Sequence, residues 1–511
     1  MRMLTAALGA ALLLSSAAPA AASDVKIPYD QFELDNGLRV IVHEDRKAPL
    51  VAVSIWYHVG SKDEPEGKTG FAHLFEHIMF NGSENYQGEW FEPLEEVGAT
   101  DLNGTTWFDR TNYFQTVPTP ALERVLWMES DRMGHLLGAV TQETLDNQRG
   151  VVQNEKRQGD NQPYGRVEYS MLEGLLPAGH PYRHSTIGSM ADLDAASLED
   201  VKEWFRTYYG AANTVLVLAG DIDAETARPL VEKYFGDIEA GPPVTQTKAN
   251  APKLDINKHE VMFDLVPQPR IDRYWTAPGR TTREAMMLTL AAEILGGGKT
   301  SRLYQRLVND LQIATSATAS LEDHELVSFY SVTVDAKKDA DFARAQREME
   351  QVVFNFLQKG PTAAELARAK TSIKASVIRG LEKVGGFGGK ATALAEGALY
   401  ASDPGFIETQ LDWLDSASIA DVMNAARDVM NAGHYQIDVL PYPDHQTVAS
   451  DVDRSKGVPA VTNSPELTFP AIQETTLSNG MKVVLAERRA IPVVEISVQF
   501  DAGYAADSVE G

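Results

Sequence analysis

The sequence predicts an α+β fold: two related α/β domains followed by the opening strands of a third. Two internal repeats carry that reading. Residues 193–201, Leu-Asp-Ala-Ala-Ser-Leu-Glu-Asp-Val, recur at 414–422 as Leu-Asp-Ser-Ala-Ser-Ile-Ala-Asp-Val, 221 positions later. Each copy leads into a helical run and then a β-rich stretch, at 214–218 and 436–440. A period of that length is the size of a domain, not of a short solenoid unit. The second repeat has an offset of 443: Leu-Asp-Asn-Gly-Leu-Arg-Val-Ile-Val at 34–42 matches Leu-Ser-Asn-Gly-Met-Lys-Val-Val-Leu at 477–485. Pro49 and Pro492, Ser54 and Ser497, and Gly60 and Gly503 stay in step with it.

Taken in order, residues 1–22 read as a secretory signal. Arg2 precedes an Ala/Leu-rich core, and Ala20-Ala21-Ala22 forms a small-residue exit before Ser23. The expected location is the bacterial periplasm, with the extracellular medium as the alternative and no stable membrane insertion after cleavage. The chain has no cysteine, which excludes disulfides and a lipidated cysteine at the signal. A first domain is expected over 24–243, closing at Gly241-Pro242-Pro243, and a second, related but non-catalytic one over 250–447. Residues 448–470, rich in Pro, Asp, Ser and Thr, read as a linker, and 471–511 as the truncated start of a third repeat domain. Two strands alone leave an unpaired sheet edge, so the expectation is the front part of a chain roughly twice as long.

The first domain carries the chemistry. Phe-Ala-His-Leu-Phe-Glu-His-Ile-Met-Phe at 71–80 contains His73, Glu76 and His77, an H-x-x-E-H pattern. At about 100° per residue, His73 and His77 fall roughly 40° apart on one helix face, close enough to hold one zinc ion. Glu76 lies on the same side, within reach of a water at that ion. Phe71, Leu74, Phe75, Ile78 and Met79 recur at i, i+3, i+4, i+7 and i+8, the spacing of a core-facing stripe. Asn81-Gly82 supplies the C-terminal stop. A catalytic zinc takes a third protein ligand and keeps one position open. Glu155 is the candidate, on a second amphipathic helix where Leu145, Gln148, Val151 or Val152, and Glu155 share a side.

His73-x-x-Glu76-His77 followed by Glu155, 78 positions after His77, resembles the pitrilysin/insulinase (M16) family of zinc peptidases, whose motif order is the inverzincin one. Gly70-Phe71-Ala72-His73, Phe80-Asn81-Gly82-Ser83 and the stretch from Asn103 to Tyr113 resemble it too, and the similarity runs through nearly the whole chain after residue 30. The resemblance implies sandwich domains, each an antiparallel sheet with helices packed on it, two of which form one half of a clamshell around the substrate. It implies one zinc per catalytic half, held by His73, His77 and Glu155, with Glu76 as general base for hydrolysis of short or unfolded polypeptides. It also implies a missing second half, in cis or as a partner subunit. Some relatives are non-catalytic structural or partner subunits, which is the alternative function. Many members carry a glutamate seven residues before the third ligand; here that position is Gln148, which can hydrogen-bond a ligand histidine but supplies no charge.

Residues 103–117 alternate as one extended strand, which suits an edge that adds a peptide by backbone pairing. The resemblance points to Asn103, Thr111 and Tyr113 as substrate-binding residues. A substrate-contacting Arg with a Tyr seven residues later occurs in the second half of relatives; here Arg306 is followed by Ile313. Gly296-Gly-Gly-Lys299-Thr300 is no phosphate loop, because Glu293 stands where a Walker glycine belongs. His180 and His184 flank Pro181 and read as loop residues. A formal net charge of −26 disfavours nucleic acid and anionic membranes as partners.

Overall fold

The computed structural model describes residues 25–443, 452–460, 471–487 and 494–503. The expected signal at 1–22 and much of the expected linker fall outside these. The fold is α+β. Residues 25–443 form one compact unit containing two sheets. The first sheet comprises β1 (Asp30–Glu33), β2 (Arg39–Glu44), β3 (Leu50–Tyr57), β4 (Thr100–Thr106), β5 (Thr111–Pro118) and β6 (Thr214–Gly220), in the order β1-β2-β6-β3-β5-β4. The second comprises β7 (Lys258–Asp264), β8 (Arg270–Pro278), β9 (Ala314–Glu322), β10 (Val327–Ala336) and β11 (Tyr435–Pro441), in the order β7-β11-β8-β10-β9.

Stripped of β1, the two orders are the same path. In each sheet the first and last strands pair in parallel, β2 with β6 and β7 with β11, and the remaining pairs are antiparallel. The 221-residue repeat is reproduced in hydrogen bonds. Ser197 and Asp200 form a reciprocal capping box at the helix Leu198–Tyr208, with bonds of 3.1 and 3.2 Å. Ser418 and Asp421 do the same at Ile419–Met430, with 2.9 and 3.2 Å. Such a box satisfies two otherwise orphaned N–H groups, which explains why Ser and Asp recur at this spacing.

Each sheet buries one face under helices of its own repeat and the other under a helix of the opposite repeat. Val167, Met171, Leu172 and Leu175, from the first repeat, pack on Val327, Phe329, Ile437 and Val439 of the second sheet. Ala391, Leu394, Ala395, Ala398 and Leu399, from the second repeat, pack on Ile41, Ala52, Trp56, Val215 and Val217 of the first. Leu394 and Leu399 each contribute roughly 1.5–3 kcal/mol through burial. The exchange explains why β3 and β6 are buried along both faces and read as near-continuous apolar runs.

The described residues from 452 onward belong to a separate unit. It contains the hairpin of β12 (Ile472–Thr476) and β13 (Lys482–Ala486). Its turn repeats that of β1–β2 in detail. Gly37 and Gly480 both take left-handed φ, +84° and +85°, and donate to Leu34 and Leu477 at 2.9 Å. Asn36 and Asn479 accept from the N–H two residues on, at 3.2 and 3.1 Å.

Candidate metal centre

The helix Phe71–Ile78 buries Phe71, Leu74, Phe75 and Ile78, with Met79 just beyond, as its spacing predicts. Its start is set by a residue that sequence reasoning missed. Gly70 is the N-cap at φ +88° and has no side chain with which to cap. Glu64 fills that role: its carboxylate accepts from the N–H groups of Gly70 and Ala72 at 2.9 and 2.7 Å. A buried carboxyl group at a helix N-terminus satisfies orphan donors; burial pushes the Glu64 carboxyl well above the usual carboxylate range, against the opposing pull of those backbone N–H groups. A Cβ on Gly70 would lie 2.5 Å from the Ile187 carbonyl, so the turn also needs the small residue. No local pattern marks Glu64, because the loop between it and Gly70 is irregular.

Glu155 comes from the helix Gln142–Asp160, started by Thr141, whose hydroxyl accepts from Thr144 N–H at 3.1 Å. Leu145 and Val152 bury its inner face, while Val151 points outward. The structure brings His73, His77 and Glu155 together as the one cluster among the described residues able to hold a metal. His73 Nε2 lies 3.3 Å from His77 Nε2, and Glu155 Oε2 lies 3.7 and 3.4 Å from the two. Ligands about 2.0–2.2 Å from a tetrahedral zinc stand about 3.3–3.6 Å apart, so the three atoms suit that ion. Burial pushes His73 down to about 4 and also lowers His77, leaving both imidazoles neutral at pH 7. Neutral imidazole is the ligating form.

Glu76 is on the same helix and 8% exposed. Burial pushes its carboxyl up to about 7, against the opposing pull of Thr106 and Arg110. One of its buried oxygens has no hydrogen-bond partner. A carboxyl poised near neutrality is suited to accept and return a proton. Gln148 lies in hydrogen-bonding reach of His77 and donates to Asn81 Oδ1 at 3.0 Å, while Asn81 Nδ2 donates to the His77 carbonyl at 2.8 Å.

The predicted substrate strand needs correction. Residues 103–117 are not one strand but a hairpin, turning at 107–110, where Trp107 N–H donates to the Arg110 carbonyl at 2.9 Å. Of these two strands only β4 lies at an edge of the sheet, and Asn103 on it is exposed. Thr111 and Tyr113 sit on β5, which is paired on both sides, and both are 0% exposed. The Thr111 hydroxyl donates to the Val59 carbonyl at 3.0 Å. The Tyr113 ring lies 4.1 Å from the guanidinium carbon of buried Arg132 and 5.4 Å from the Phe80 ring, just after the motif helix. Both side chains are therefore part of the packed interior of the first repeat. His180 and His184 do lie in a loop, and Arg306 is tied to Glu348 at 2.8 Å.

Comparison with known proteins agrees with this architecture. Residues 39–177 match the family model described as insulinase, peptidase family M16, and residues 195–373 match the M16 inactive domain. The zinc protease PqqE of Helicobacter pylori is 26% identical over 428 residues, covering 82% of this chain and 94% of that protein. A protease structure from Helicobacter pylori superposes with a TM-score of 0.75 at 23% identity, over 82% of this chain and all of the other. The first half of the periplasmic protease PqqL from Escherichia coli gives 0.68 at 18% identity, covering 81% of this chain and 93% of that one. The chain belongs to the insulinase (M16) family of peptidases.

Proposed function

We propose that the chain is a zinc-dependent endopeptidase acting on short or unfolded polypeptides. The observation that carries this reading is the convergence of His73, His77 and Glu155 at 3.3–3.7 Å beside Glu76. Zinc held by those three residues would act as a Lewis acid and lower the pKa of water at its open position. Glu76 takes the proton of the attacking water and passes it to the leaving amine. Its depth in the fold keeps competing solvent away, and a carboxyl near pH 7 can do both transfers. The exposed edge of β4 around Asn103 pairs with the substrate backbone, a mode tolerant of sequence.

One metal per catalytic half, secretion through a signal at 1–22, and a second half supplied in cis or by a partner belong to the same reading. The hairpin that repeats β1–β2 supports the last of these. Among the described residues no helix is long and apolar enough to cross a membrane. A second reading, a non-catalytic partner subunit, draws on the match of residues 195–373 to the inactive domain. Zinc-dependent cleavage of an unstructured peptide mixture, run beside Glu76→Gln, separates the two. Cleavage abolished by chelation and by the substitution supports the peptidase; bound zinc without cleavage of any peptide, with the partner half present, supports the subunit.

A further inference from the structure

The helix that carries Glu76 fixes its backbone but not the direction of its carboxyl. The sheet beneath supplies that direction, and the contact begins at Gly104. A Cβ on Gly104 would meet the Phe80 ring at 2.7 Å and the Tyr113 ring at 2.9 Å. Here β4 approaches the end of the motif helix more closely than a residue with a side chain permits. Gly104 and Thr106, two apart on β4, belong to the same face of the sheet, and both are buried. Four residues back from Phe80 stands Glu76, about 6 Å along the helix. Two residues on from Gly104 stands Thr106, about 6.6 Å along the strand. The two steps match, and the Thr106 hydroxyl comes into hydrogen-bonding reach of the Glu76 carboxyl.

Thr106 is itself held. Its hydroxyl lies 3.3 Å from that of Thr111, directly opposite on β5. The Thr111 hydroxyl donates its hydrogen to the Val59 carbonyl at 3.0 Å, so it turns a lone pair toward Thr106. Thr106 is 7% exposed and Thr111 0%, which keeps bulk water from competing for either hydroxyl. A β-branched side chain has few χ1 choices, so the Thr106 hydroxyl is aimed before any substrate arrives. Arg110, the nearby cation, is engaged elsewhere: its Nη1 donates to the Thr105 carbonyl at 2.9 Å. Glu76 Oε2 is buried with no hydrogen-bond partner, so a donor on the other oxygen leaves this one to the attacking water.

We propose that Thr106 is a positioning residue: its hydroxyl, braced by Thr111, donates to the Glu76 carboxylate and keeps it aimed at the water to be deprotonated. It acts through Glu76 and carries no proton of the reaction itself. The catalytic consequence rests on the peptidase reading above. The aim of the Glu76 side chain is a property of the folded chain and is visible without turnover.

The test compares the full parent chain with Thr106→Val, which keeps the shape and loses the donor, and Thr106→Ser, which keeps the donor. In zinc-loaded protein, Thr106→Val should lower kcat about ten- to hundredfold, the worth of one hydrogen bond to a charged group, with KM and zinc content unchanged. Thr106→Ser should recover most of that loss. Crystal structures of the three metal-free proteins give a second readout. The Glu76 carboxyl should lie about 2.5–3.0 Å from the hydroxyl in the parent and in Thr106→Ser, and turn away in Thr106→Val. Equal kcat in the parent and Thr106→Val overturns the proposal, as does an unmoved Glu76 or a KM that rises alone. Zinc lost from Thr106→Val and not regained in Thr106→Ser overturns it too, by making Thr106 a packing residue. Should Thr106→Val fail to fold, Thr106→Ala takes its place with the same two readouts. No cleavage by the parent, with Glu76 turned away in Thr106→Val, would sink the peptidase reading and leave the positioning contact standing.

Discussion

The carboxylate of Asp109, in the turn between β4 and β5, accepts a hydrogen bond at 2.9 Å from the backbone N–H of Glu325, in the equivalent turn between β9 and β10. Its other oxygen accepts from the Tyr182 hydroxyl, which itself accepts from Leu326 N–H at 2.9 Å. Asp109 thus closes a contact between the two repeats at the turn that follows β4. Burial raises its carboxyl, with Lys62 pulling the other way. Asp109→Ala leaves two buried donors without acceptors and should destabilise the protein by about 3 kcal/mol. Urea unfolding measures this. An unchanged midpoint would mean that the stacked rings of Phe108 and Tyr182, 4.6 Å apart, hold the turns unaided.

Glu64 should matter to catalysis without touching substrate. Glu64→Ala removes the carboxyl group that accepts from the first N–H groups of the motif helix, at a cost of roughly 1–2 kcal/mol by analogy with other N-caps. The helix carries both histidines and Glu76, so zinc affinity and kcat should fall together with KM little changed. Metal titration and steady-state kinetics test this; a variant with altered KM alone would place Glu64 in the substrate site.

Asp45 and Lys390 pair across the repeats with side chains 8% and 13% exposed. The Lys390 ammonium holds the Asp45 carboxyl down at about 2, below its ordinary 3.8. A carboxyl depressed in the folded state stabilises fully above its unfolded value and loses that contribution as pH falls toward the folded one. Lys390→Met should therefore destabilise by roughly 1–3 kcal/mol above pH 4 and progressively less toward pH 2. Denaturant curves across that range decide it, and a penalty independent of pH would refute the pairing.

Substitutions at the metal centre should divide into two classes. Glu76→Gln should cut kcat by about 10³ or more while zinc still binds, because no ligand is lost. His73→Ala and Glu155→Ala should lose the metal, and with it the stabilisation by zinc that melting with and without chelator reports. Equal zinc content in Glu155→Ala and the parent would remove Glu155 from the ligand set.

The motif helix was legible because side-chain identity and the 3.6-residue period agree over 71–79, and the capping boxes at Ser197 and Ser418 kept their spacing. The β4–β5 hairpin was not, because Trp107-Phe108-Asp109-Arg110 holds no Gly or Pro and the alternation runs through the turn. That alternation puts Thr111 and Tyr113 on an edge, whereas the strand that carries them is paired on both sides and buries them. Nor could apolar runs in β3 and β6 say whose helix covers them, since period shows that a face is buried and not by which copy. Glu64 acts across an irregular loop that periodicity does not describe.

The crossed helices at 167–175 and 390–400 have a consequence for how this chain could be taken apart. Severed near residue 245 and made separately, each piece would present a bare apolar sheet face and an orphaned amphipathic helix, a pairing that invites aggregation. Made together, each piece supplies what the other lacks. The two copies are mutual chaperones written into one polypeptide, and the smallest portion of it that can stand by itself is the pair.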